Sequence, residues 1–445
     1  SYGITPRMFH QPLALAQSRW LRFATLCLLY VCQGLPIGIF QVALPAWFAA
    51  EGLSVSEIGG FIAVVFLPWG FKLLVGPAMD RFAFPSMGRR RPWILLAQTG
   101  IIASFILIAI LSPDPNESYS LLAALGFMAN SFGAVQDVAV DGMAIDILKE
   151  NERAQANAYM FGGQIGGISI SGAVGSAALV NFGLSTAALI MALTVLLIML
   201  LPLFLRERPG ERLLPWSRGE ASVEALASVN ESWRDIVVTL IRALILPMSL
   251  LLVFLEGLQR ASAGILLSIG PAITVQELGW AQTEFANWVA ITGIVASVVG
   301  VVFGALVDRA GLVRVLFIFI LLRMVGFVVF AYTEQYWSND EYYKAMVLAE
   351  GIMSQFVTMT VISLFMRVCL PQVAATQFAV YMASANLTRS LGSGAVVPLG
   401  NLMDYSQMFL VMAGLHVVFL LLLPLLNFEK HERDNAKLLA SVEKG

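Results

Sequence analysis

Charged residues are scarce in this chain of 445 residues: Asp, Glu, Lys and Arg together contribute 13% of it, whereas hydrophobic residues contribute 58%. The mean hydropathy of +0.79 agrees with this imbalance. Soluble globular domains carry about 25% charged residues, so the composition excludes a soluble domain and predicts an integral membrane protein. The net charge is only -2, which gives no bulk electrostatic attraction for nucleic acid.

Histidine is rarer still, and the sequence lacks the motifs of zinc, nucleophile and phosphate-binding sites. The three histidines, His10, His416 and His431, are scattered along the chain. Neither an H-E-x-x-H zinc motif nor a G-x-S-x-G nucleophile turn occurs, and no lysine follows a glycine, so the phosphate-binding G-K-[ST] is also absent. These absences argue against a membrane-embedded enzyme and a primary pump, and no metal or cofactor is predicted. The three cysteines lie in or beside apolar runs and indicate no disulfide framework.

What the chain has in abundance is long apolar runs. Each is about twenty residues long, enough to cross a hydrocarbon core of ~30 Å, and none has the short alternating pattern of barrel strands. We therefore predict an all-α membrane protein with twelve transmembrane helices. The predicted spans are 20–41, 55–78, 92–112, 119–146, 154–180, 183–205, 243–270, 284–307, 312–332, 345–369, 374–401 and 405–427. Because the first run is long and many others follow it, no cleavable signal peptide is predicted.

The basic residues are distributed unevenly among the connections between these spans. All 27 Lys and Arg residues except Lys72, Arg260, Arg323, Lys344 and Arg389 fall on one side if both termini are on that side. Lys344 is the basic residue of the opposite loops, and the other four lie within spans. Since Lys and Arg accumulate on the cytoplasmic side, both termini are predicted to be cytoplasmic.

The chain divides into two related halves, predicted as a six-helix bundle at 1–206, a cytoplasmic linker at 207–242 and a second bundle with a tail at 243–445. The linker ends in SWRDIVVTLIRAL, an amphipathic pattern typical of a helix lying in the membrane interface. GPAMDRFAFPSMGRRRPW after span 2 matches GALVDRAGLVRVL after span 8, and QANAYM at span 5 matches QFAVYM at span 11. Two matches in one order indicate a duplicated six-helix unit, an architecture found in secondary transporters.

The paired loop motif resembles that of the major facilitator superfamily, which reads approximately G-x-x-x-D-R-x-G-R-R between spans 2 and 3. The resemblance implies a cytoplasmic gate in which glycine permits close helix approach and arginines pair with acids. The residues assigned to this gate are Gly76, Asp80, Arg81, Arg89, Arg90, Asp146, Asp308 and Arg309.

Shorter motifs narrow the resemblance to one branch of the superfamily. QDVAVDG in span 4, CQGLP in span 1 and AATQFA at span 11 are similar to the branch of AmpG-type muropeptide permeases and acetyl-coenzyme A transporters, to which some siderophore importers are also similar. Muropeptide permeases often have two additional spans, and this chain departs from them because only twelve are predicted. The glycine-rich stretch GGQIGGISISGAVG of span 5 lacks the proline of the antiporter signature, which favours symport or facilitated transport, and we expect close helix packing through Gly162, Gly163, Gly166 and Gly167.

The resemblance implies a monomeric transporter in the lipid of a bacterial inner membrane. Its expected function is proton-coupled import of a sizeable organic solute such as a muropeptide by alternating access. The alternatives are import of acetyl-CoA-like anions or a siderophore, or a non-transporting membrane sensor on the same scaffold.

Span 4 carries the acids that are the leading candidates for coupling. Asp137 and Asp141 are four residues apart and lie on one helix face. At 1.5 Å per residue they lie ~24 Å and ~30 Å from an exterior start near Leu121. Asp137 is predicted as a proton carrier or, alternatively, as the partner of Lys72, and Asp141 and Asp146 as partners of the arginines after span 2. Asp141 is also kept as a proton-coupling candidate.

Other ionisable groups within spans are functional candidates, because a charge inside the membrane is costly. Glu256 is a further proton-coupling candidate, or else the partner of Arg260 in a plain intrahelical ion pair. The superfamily resemblance directs this pair to a central cavity lined by spans 1, 4, 7 and 10. The substrate-binding candidates are Gln33, Gln41, Lys72, Arg260 and Arg389, with Arg389 suited to an anionic group.

Overall fold

A computed structural model describes residues 14–82, 84–227, 233–370 and 373–442. These residues are almost entirely helical, and the described part of the chain contains no strand beyond an isolated bridge between Ala14 and Arg206. The side chains of Asp80, Arg81 and Asp308, three residues of the predicted gate, lie outside what is described.

In the described part of the chain the membrane-length helices number twelve, as predicted, when the run Arg153–Phe204 is divided at Gly183. Their bounds are α1 Arg19–Ala50, α2 Val55–Leu74, α3 Arg91–Leu111, α4 Tyr119–Ile147, α5 153–182, α6 184–204, α7 Pro247–Glu277, α8 Gln282–Ala310, α9 Leu312–Tyr332, α10 Asp340–Val368, α11 Ala374–Leu399 and α12 Tyr405–Leu425. By length and composition, ten helical segments can cross a membrane, and one of these contains both α5 and α6.

The boundary between α5 and α6 is a single glycine. Gly183 has φ 81° and ψ 175° inside an otherwise continuous helical run, Arg153–Phe204. Positive φ of this kind is readily adopted by glycine because it has no Cβ. The remaining member of the twelve, α11, is 26 residues long but less apolar than the others. It packs against α2 and α7, so part of its surface is covered by protein.

Three predicted boundaries are wrong in informative ways. Span 1 does not end at Gln41: after Pro36 the helix passes through a π-helical turn, Ile39–Ala43, and continues to Ala50. Span 7 begins at Pro247, because the preceding residues belong to a separate helix, Trp233–Leu244. Span 10 begins at Asp340, where Asn339 caps the first turn. In spans 1 and 10 the helices include polar residues, Gln41 and Lys344, at which the predicted spans stop.

Helices α1 to α6 form the first bundle and α7 to α12 the second, and the two bundles meet where α2 packs on α11 and α5 packs on α8. Contact is close at Gly59, where a Cβ would lie 2.7 Å from the carbonyl oxygen of Ser393. The predicted domain boundaries at 206 and 242 stay a prediction. The amphipathic segment of the linker does form a helix, Trp233–Leu244.

The predicted glycine packing in α5 is half right. A Cβ at Gly163 or Gly167 would lie 2.4 Å or 2.3 Å from carbonyl oxygens of α1, so these two glycines permit close approach. Gly162 and Gly166 have nothing within 4 Å of a Cβ position. These two share a helix face with Ser169, whose hydroxyl reaches the carbonyl of Ala290 on α8 at 3.5 Å. A Cβ at Gly162 or Gly166 would therefore meet open space. Both glycines lie toward the Arg153 end of α5, on the side of the molecule where Arg22 near the start of α1 pairs with Glu152; this side is called the terminus face.

The opposite side, the far face, is closed by a contact between the bundles. The side-chain amide of Gln276 donates to the carbonyls of Ala49 at 3.0 Å and Leu53 at 2.7 Å. Gln276 lies in a π-helical turn, Ala272–Glu277, directly after Pro271. The same arrangement of a proline followed five residues later by a glutamine in a π-helical turn occurs in α1 with Pro36 and Gln41.

Candidate functional site

The first bundle holds a buried polar cluster built on α4. Asp137 receives an ion pair from Lys72 of α2, with the two atoms Nζ and Oδ2 at 2.5 Å, and a hydrogen bond from the side-chain amide of Gln33 on α1. The side chains of Lys72 and Asp137 are 13% and 7% exposed. The pairing of Asp137 with Lys72 was one of the two alternatives from the sequence.

Asp141 lies on the same face of α4 but has different partners. Its carboxylate accepts a hydrogen bond from the hydroxyl of Tyr30 on α1. Among the residues that the structure describes, no cation pairs with Asp141. The predicted pairing of Asp141 with the arginines after α2 is therefore not found there, and the side chain of Arg81 lies outside what is described. The cluster, defined as Tyr30, Gln33, Lys72, Asp137 and Asp141, thus contains two carboxyl groups and one ammonium.

Asp146, one turn beyond, does approach the predicted arginines. Its carboxylate oxygens lie 3.7 Å from Nη1 of Arg89 and 3.6 Å from Nε of Arg90. Gly142 makes room for Arg90, because a Cβ there would lie 2.6 Å from Nε. A Cβ at Gly76 would lie 3.9 Å from Val138 of α4, which is ordinary contact, and Arg309 in the second copy of the motif is exposed. The pairings fit a gate, and the gating role itself stays a prediction.

A buried acid at the start of α3 escaped the sequence analysis. The carboxylate of Glu207 is fully buried and accepts the backbone N–H groups of Arg89 at 3.1 Å, Arg90 at 2.8 Å and Arg91 at 2.5 Å. Burial, followed by the nearby carboxylate of Glu211, raises the pKa of Glu207 to about 7, and the three N–H groups oppose that rise. The signal in the sequence that could have predicted this contact is an acid directly after α6 together with the arginine-rich loop after α2.

Arg91 and Glu207 together form an anchor between the loop after α2 and the segment after α6. Among the described residues, the Arg91 side chain donates only to main-chain carbonyls. It thereby ties the loop after α2 to the segment after α6. Its acceptors are the carbonyl oxygens of Met87, Pro202, Leu203, Arg212 and Leu213.

The second bundle holds a longer polar chain, here called the relay. Nε of Arg260 lies 2.6 Å from Glu256, the amide of Gln259 donates to Glu256 at 2.7 Å, and Arg323 of α9 donates to Gln259 at 3.1 Å. Arg323 also pairs with Glu350 of α10 at 2.5 Å. The relay therefore runs from α7 through α9 to α10 with two carboxylates and two guanidinium groups. The expected Glu256–Arg260 pair is present, and Arg323 and Glu350 extend it to α9 and α10.

Arg389 of α11 stands apart from the relay. Its guanidinium lies over the ring of Phe66 on α2 at 5.5 Å from the centroid and within electrostatic range of Arg260. No carboxylate pairs with it in the described part of the chain. It is thus a cation held at the seam between the bundles without a neutralising acid.

A cavity of about 280 Å³ lies between the bundles, bounded by α1, α5, α8 and α10. Gln41 lines it from the π-helical turn of α1, and Glu350 lines it from α10. Of the sequence candidates, Gln41 is placed at this cavity, whereas Gln33, Lys72, Arg260 and Arg389 are not among its lining residues. The described residues include no group of three or more His, Cys, Asp or Glu side chains that could hold a metal ion.

Comparison with known proteins agrees with this architecture. The profile of the "Major Facilitator Superfamily" matches residues 26–393. The chain belongs to this superfamily of membrane transporters. Among curated proteins it is 26% identical over 392 residues to the anhydromuropeptide permease of Escherichia coli (strain K12), covering 86% of this chain and 73% of that protein.

Solved structures support the fold. The crystal structure of the nucleoside transporter NupG superposes with a TM-score of 0.68 at 14% identity, covering 91% of this chain and 98% of that one. The human organic anion transporter MFSD10 (TETRAN) gives a TM-score of 0.60 at 15% identity, covering 91% and 99%. The protein is therefore a multi-pass membrane transporter whose relatives are permeases and transporters, not enzymes.

Proposed function

We propose that this protein is a proton-coupled symporter that imports a sizeable organic solute, such as a muropeptide, by alternating access. The observation that carries the coupling is the charge imbalance of the cluster around α4: Asp137 is neutralised by Lys72, whereas Asp141 is held by the Tyr30 hydroxyl alone. An uncompensated carboxylate in a buried site favours proton uptake.

The mechanism assigns different tasks to the two aspartates. Asp137 is bound by Lys72 and Gln33 and fixes the position of α4 relative to α1 and α2. Asp141 takes up the proton, which removes the excess negative charge and lets the cluster be buried when the terminus face closes. Glu256 is the weaker candidate because Arg260 and Gln259 already bind both of its oxygens.

Import requires a state that releases the solute to the cytoplasm. With the termini on the cytoplasmic side, as the basic residues predict, the open space beside Gly162 and Gly166 of α5 lies toward the cytoplasm and the contact made by Gln276 lies toward the exterior. We place the protein in the bacterial inner membrane. The state described here then corresponds to release of the solute into the cell.

The muropeptide assignment rests on the anhydromuropeptide permease to which the chain is similar over 86% of its length. A second candidate, an acetyl-CoA-like or siderophore anion, is favoured by one observation: Arg389 lacks a carboxylate partner among described residues and lies near Arg260. Two guanidinium groups suit a carboxylate or phosphate.

The deciding experiment is uptake into reconstituted vesicles under an imposed inward proton gradient, with anhydromuropeptide, acetyl-CoA and a siderophore offered separately. Gradient-dependent accumulation of anhydromuropeptide by the unmodified protein is expected, together with its loss in Asp141→Asn. Retention of gradient-driven uptake by Asp141→Asn would contradict the assignment of the proton site. Binding of a solute without movement across the membrane in the unmodified protein would favour the sensor alternative.

A further inference from the structure

A second cavity, here called the groove, lies at the far-face ends of α8 and α10 and has a volume of about 340 Å³. Its lining residues are Thr283, Glu284, Asn287, Trp288, Ile291 and Lys344. None of these residues lines the cavity between the bundles, so the groove is a distinct site.

The groove follows from the way α8 and α10 meet. The two helices are in close contact at Gly351, where a Cβ would lie 2.5 Å from the methyl group of Thr292. Toward the far face, ~12 Å before Thr292 along α8, the helices are bridged by long side chains, and Nζ of Lys344 lies 2.8 Å from Oε1 of Glu284. The groove therefore occupies the far-face end of the seam between α8 and α10.

One wall of the groove continues into an apolar face of α8. Ile291 is 46% exposed, and Ile294 and Val298 on the same helix face are 48% and 57% exposed. In a membrane-spanning helix such an exposed apolar face contacts lipid chains. Asn287, one turn before Ile291, is exposed as well and carries an amide. The groove thus extends from the polar boundary of the membrane to its hydrocarbon.

A lysine held by two indole rings marks the polar end of the groove. Nζ of Lys344 lies 5.0 Å from the ring centroid of Trp280 and 6.0 Å from that of Trp288. Trp280 is fixed in turn by a hydrogen bond of 2.9 Å from its Nε1 to Asp340. An ammonium has three N–H donors, and among the described residues Glu284 accepts one of them. Donors therefore remain for a phosphate oxygen at the level where tryptophans meet lipid headgroups.

The charge around Lys344 restricts the class of headgroup. Glu284 is its ion-pair partner, and Asp340 and Glu341 lie within electrostatic range of it. Acids thus outnumber the single base, which disfavours a lipid with a net negative charge. A headgroup that carries its own ammonium beside its phosphate meets both signs. A primary ammonium can donate to the carboxylate of Glu284 and lie against the ring of Trp288.

We propose that the groove is a binding site for a zwitterionic phospholipid with a primary ammonium, of the phosphatidylethanolamine type, in the leaflet at the far face. Lys344 binds the phosphate, Glu284 accepts from the headgroup ammonium, and an acyl chain lies along Ile291. The site is separate from the proposed transport function and adds a lipid ligand to the second bundle.

Native mass spectrometry of the purified protein in detergent tests this site by counting bound lipids. The probes are phosphatidylethanolamine, phosphatidylcholine and phosphatidylglycerol with identical acyl chains. Phosphatidylethanolamine is expected to bind most tightly. Lys344→Met should weaken its binding by about three- to tenfold, the effect of losing one hydrogen bond to a charged group.

Glu284→Gln gives a readout that a merely structural role would not change. It removes the negative charge, so binding of phosphatidylethanolamine should weaken while binding of phosphatidylglycerol strengthens, each by about threefold or more. The matched control is Glu334→Gln, since Glu334 also lies on the far face but bonds Ser406 at the start of α12. Its expected effect on either lipid is within about twofold.

The other outcomes would overturn the proposal. Tighter binding of phosphatidylglycerol by the unmodified protein, or unchanged binding in both Lys344→Met and Glu284→Gln, would contradict recognition by this ion pair. Equal affinity for phosphatidylcholine would contradict the role of Glu284, because a quaternary ammonium has no N–H to donate. If free phosphoethanolamine bound as tightly as the lipid, the groove would be a site for a soluble headgroup and not for a membrane lipid.

Discussion

The two bundles bury their charges in opposite ways. The cluster of the first bundle has two carboxyl groups, Asp137 and Asp141, against the single ammonium of Lys72. The relay of the second bundle has two carboxylates matched by two guanidinium groups. A duplicated six-helix scaffold thus carries one site with an excess of acid and one that is balanced. The proposed proton coupling therefore belongs to the cluster of the first bundle, whereas in the second bundle Glu350 lines the cavity as the partner of Arg323.

The paired glutamines show the same division of labour. Gln41 and Gln276 occupy corresponding π-helical turns, yet Gln41 has a free oxygen in the cavity whereas Gln276 bonds the first bundle across the far face. Equivalent backbone geometry therefore places one glutamine at the cavity and the other in a contact between the bundles. Substitutions in each bundle can test this contrast.

The largest expected effect is on the balance of the relay. Arg323→Met leaves Glu350 without its cation and Gln259 without a donor. Breaking one side of a buried ion pair costs roughly 3–5 kcal/mol, so the unfolding midpoint in detergent should fall strongly. Adding Glu350→Leu to Arg323→Met should recover most of the loss, because the one charged pair left in the relay is then Glu256 with Arg260 and no unpaired charge remains there. If the double variant were as unstable as the single one, packing of Arg323 rather than charge balance would account for the effect.

The next effect concerns the imbalance of the cluster. Lys72→Met removes the sole ammonium and leaves Asp137 and Asp141 facing each other on one side of α4. Like charges at this spacing favour protonation of one of them, so gradient-driven uptake should fall by at least about tenfold, the factor that corresponds to 1.4 kcal/mol. Lys72→Met combined with Asp137→Asn should restore part of it by returning the cluster to one carboxylate. Lys149→Met, on the terminus side of α4, is the control, and equal losses in both variants would contradict the role given to the cluster.

The far-face contact should respond to Gln276→Leu. The substitution removes two hydrogen bonds to Ala49 and Leu53, worth about 0.5–1.5 kcal/mol each, and so favours opening of the far face by roughly five- to hundredfold. Opening of the far face can be measured with Val42→Cys in a background without native cysteines. The expected result of Gln276→Leu is faster labelling of this cysteine from the far side. The matched control is Gln282→Leu on α8. If Gln276→Leu labelled no faster than that control, the contact would not be holding the face closed.

The sequence predicts the fold better than it predicts the partners of buried charges. Helix count, duplication and the pairing of Asp146 with the arginines follow from hydropathy and from the repeated loop motif, both of which are local patterns. The Tyr30–Asp141 bond joins residues 111 positions apart, and the Arg323–Glu350 pair depends on how α9 meets α10. Such contacts are fixed by helix rotation and tilt, which hydropathy does not determine. The continuation of α1 past Gln41 was missed because a polar residue inside a π-helical turn looks like a helix end.

The smallest expected effect lies outside the membrane, where the first bundle has a titratable anchor in Glu207. Because its pKa is raised to about 7 from 4.5 in the folded chain, the folded state binds a proton more tightly than the unfolded chain. The resulting stabilisation is fully present below pH 4.5 and is lost as the pH rises through 7. Between pH 6 and pH 8 the free energy of unfolding should fall by about 1 kcal/mol from this group.

Glu207→Gln tests this anchor directly, since it removes the titration while leaving a side-chain oxygen to accept from the backbone N–H groups of Arg89, Arg90 and Arg91. Unfolding midpoints of the variant in detergent should change less between pH 6 and pH 8 than those of the unmodified protein. Glu211 also has a raised pKa from burial, so Glu211→Gln is the control for its share. A pH dependence that survives Glu207→Gln and disappears in Glu211→Gln would transfer the effect to that neighbour. If the pH dependence persisted in both variants, Glu207 would act only as a hydrogen-bond acceptor for the backbone at the start of α3. The groups whose titration distinguishes the two bundles would then lie within the membrane.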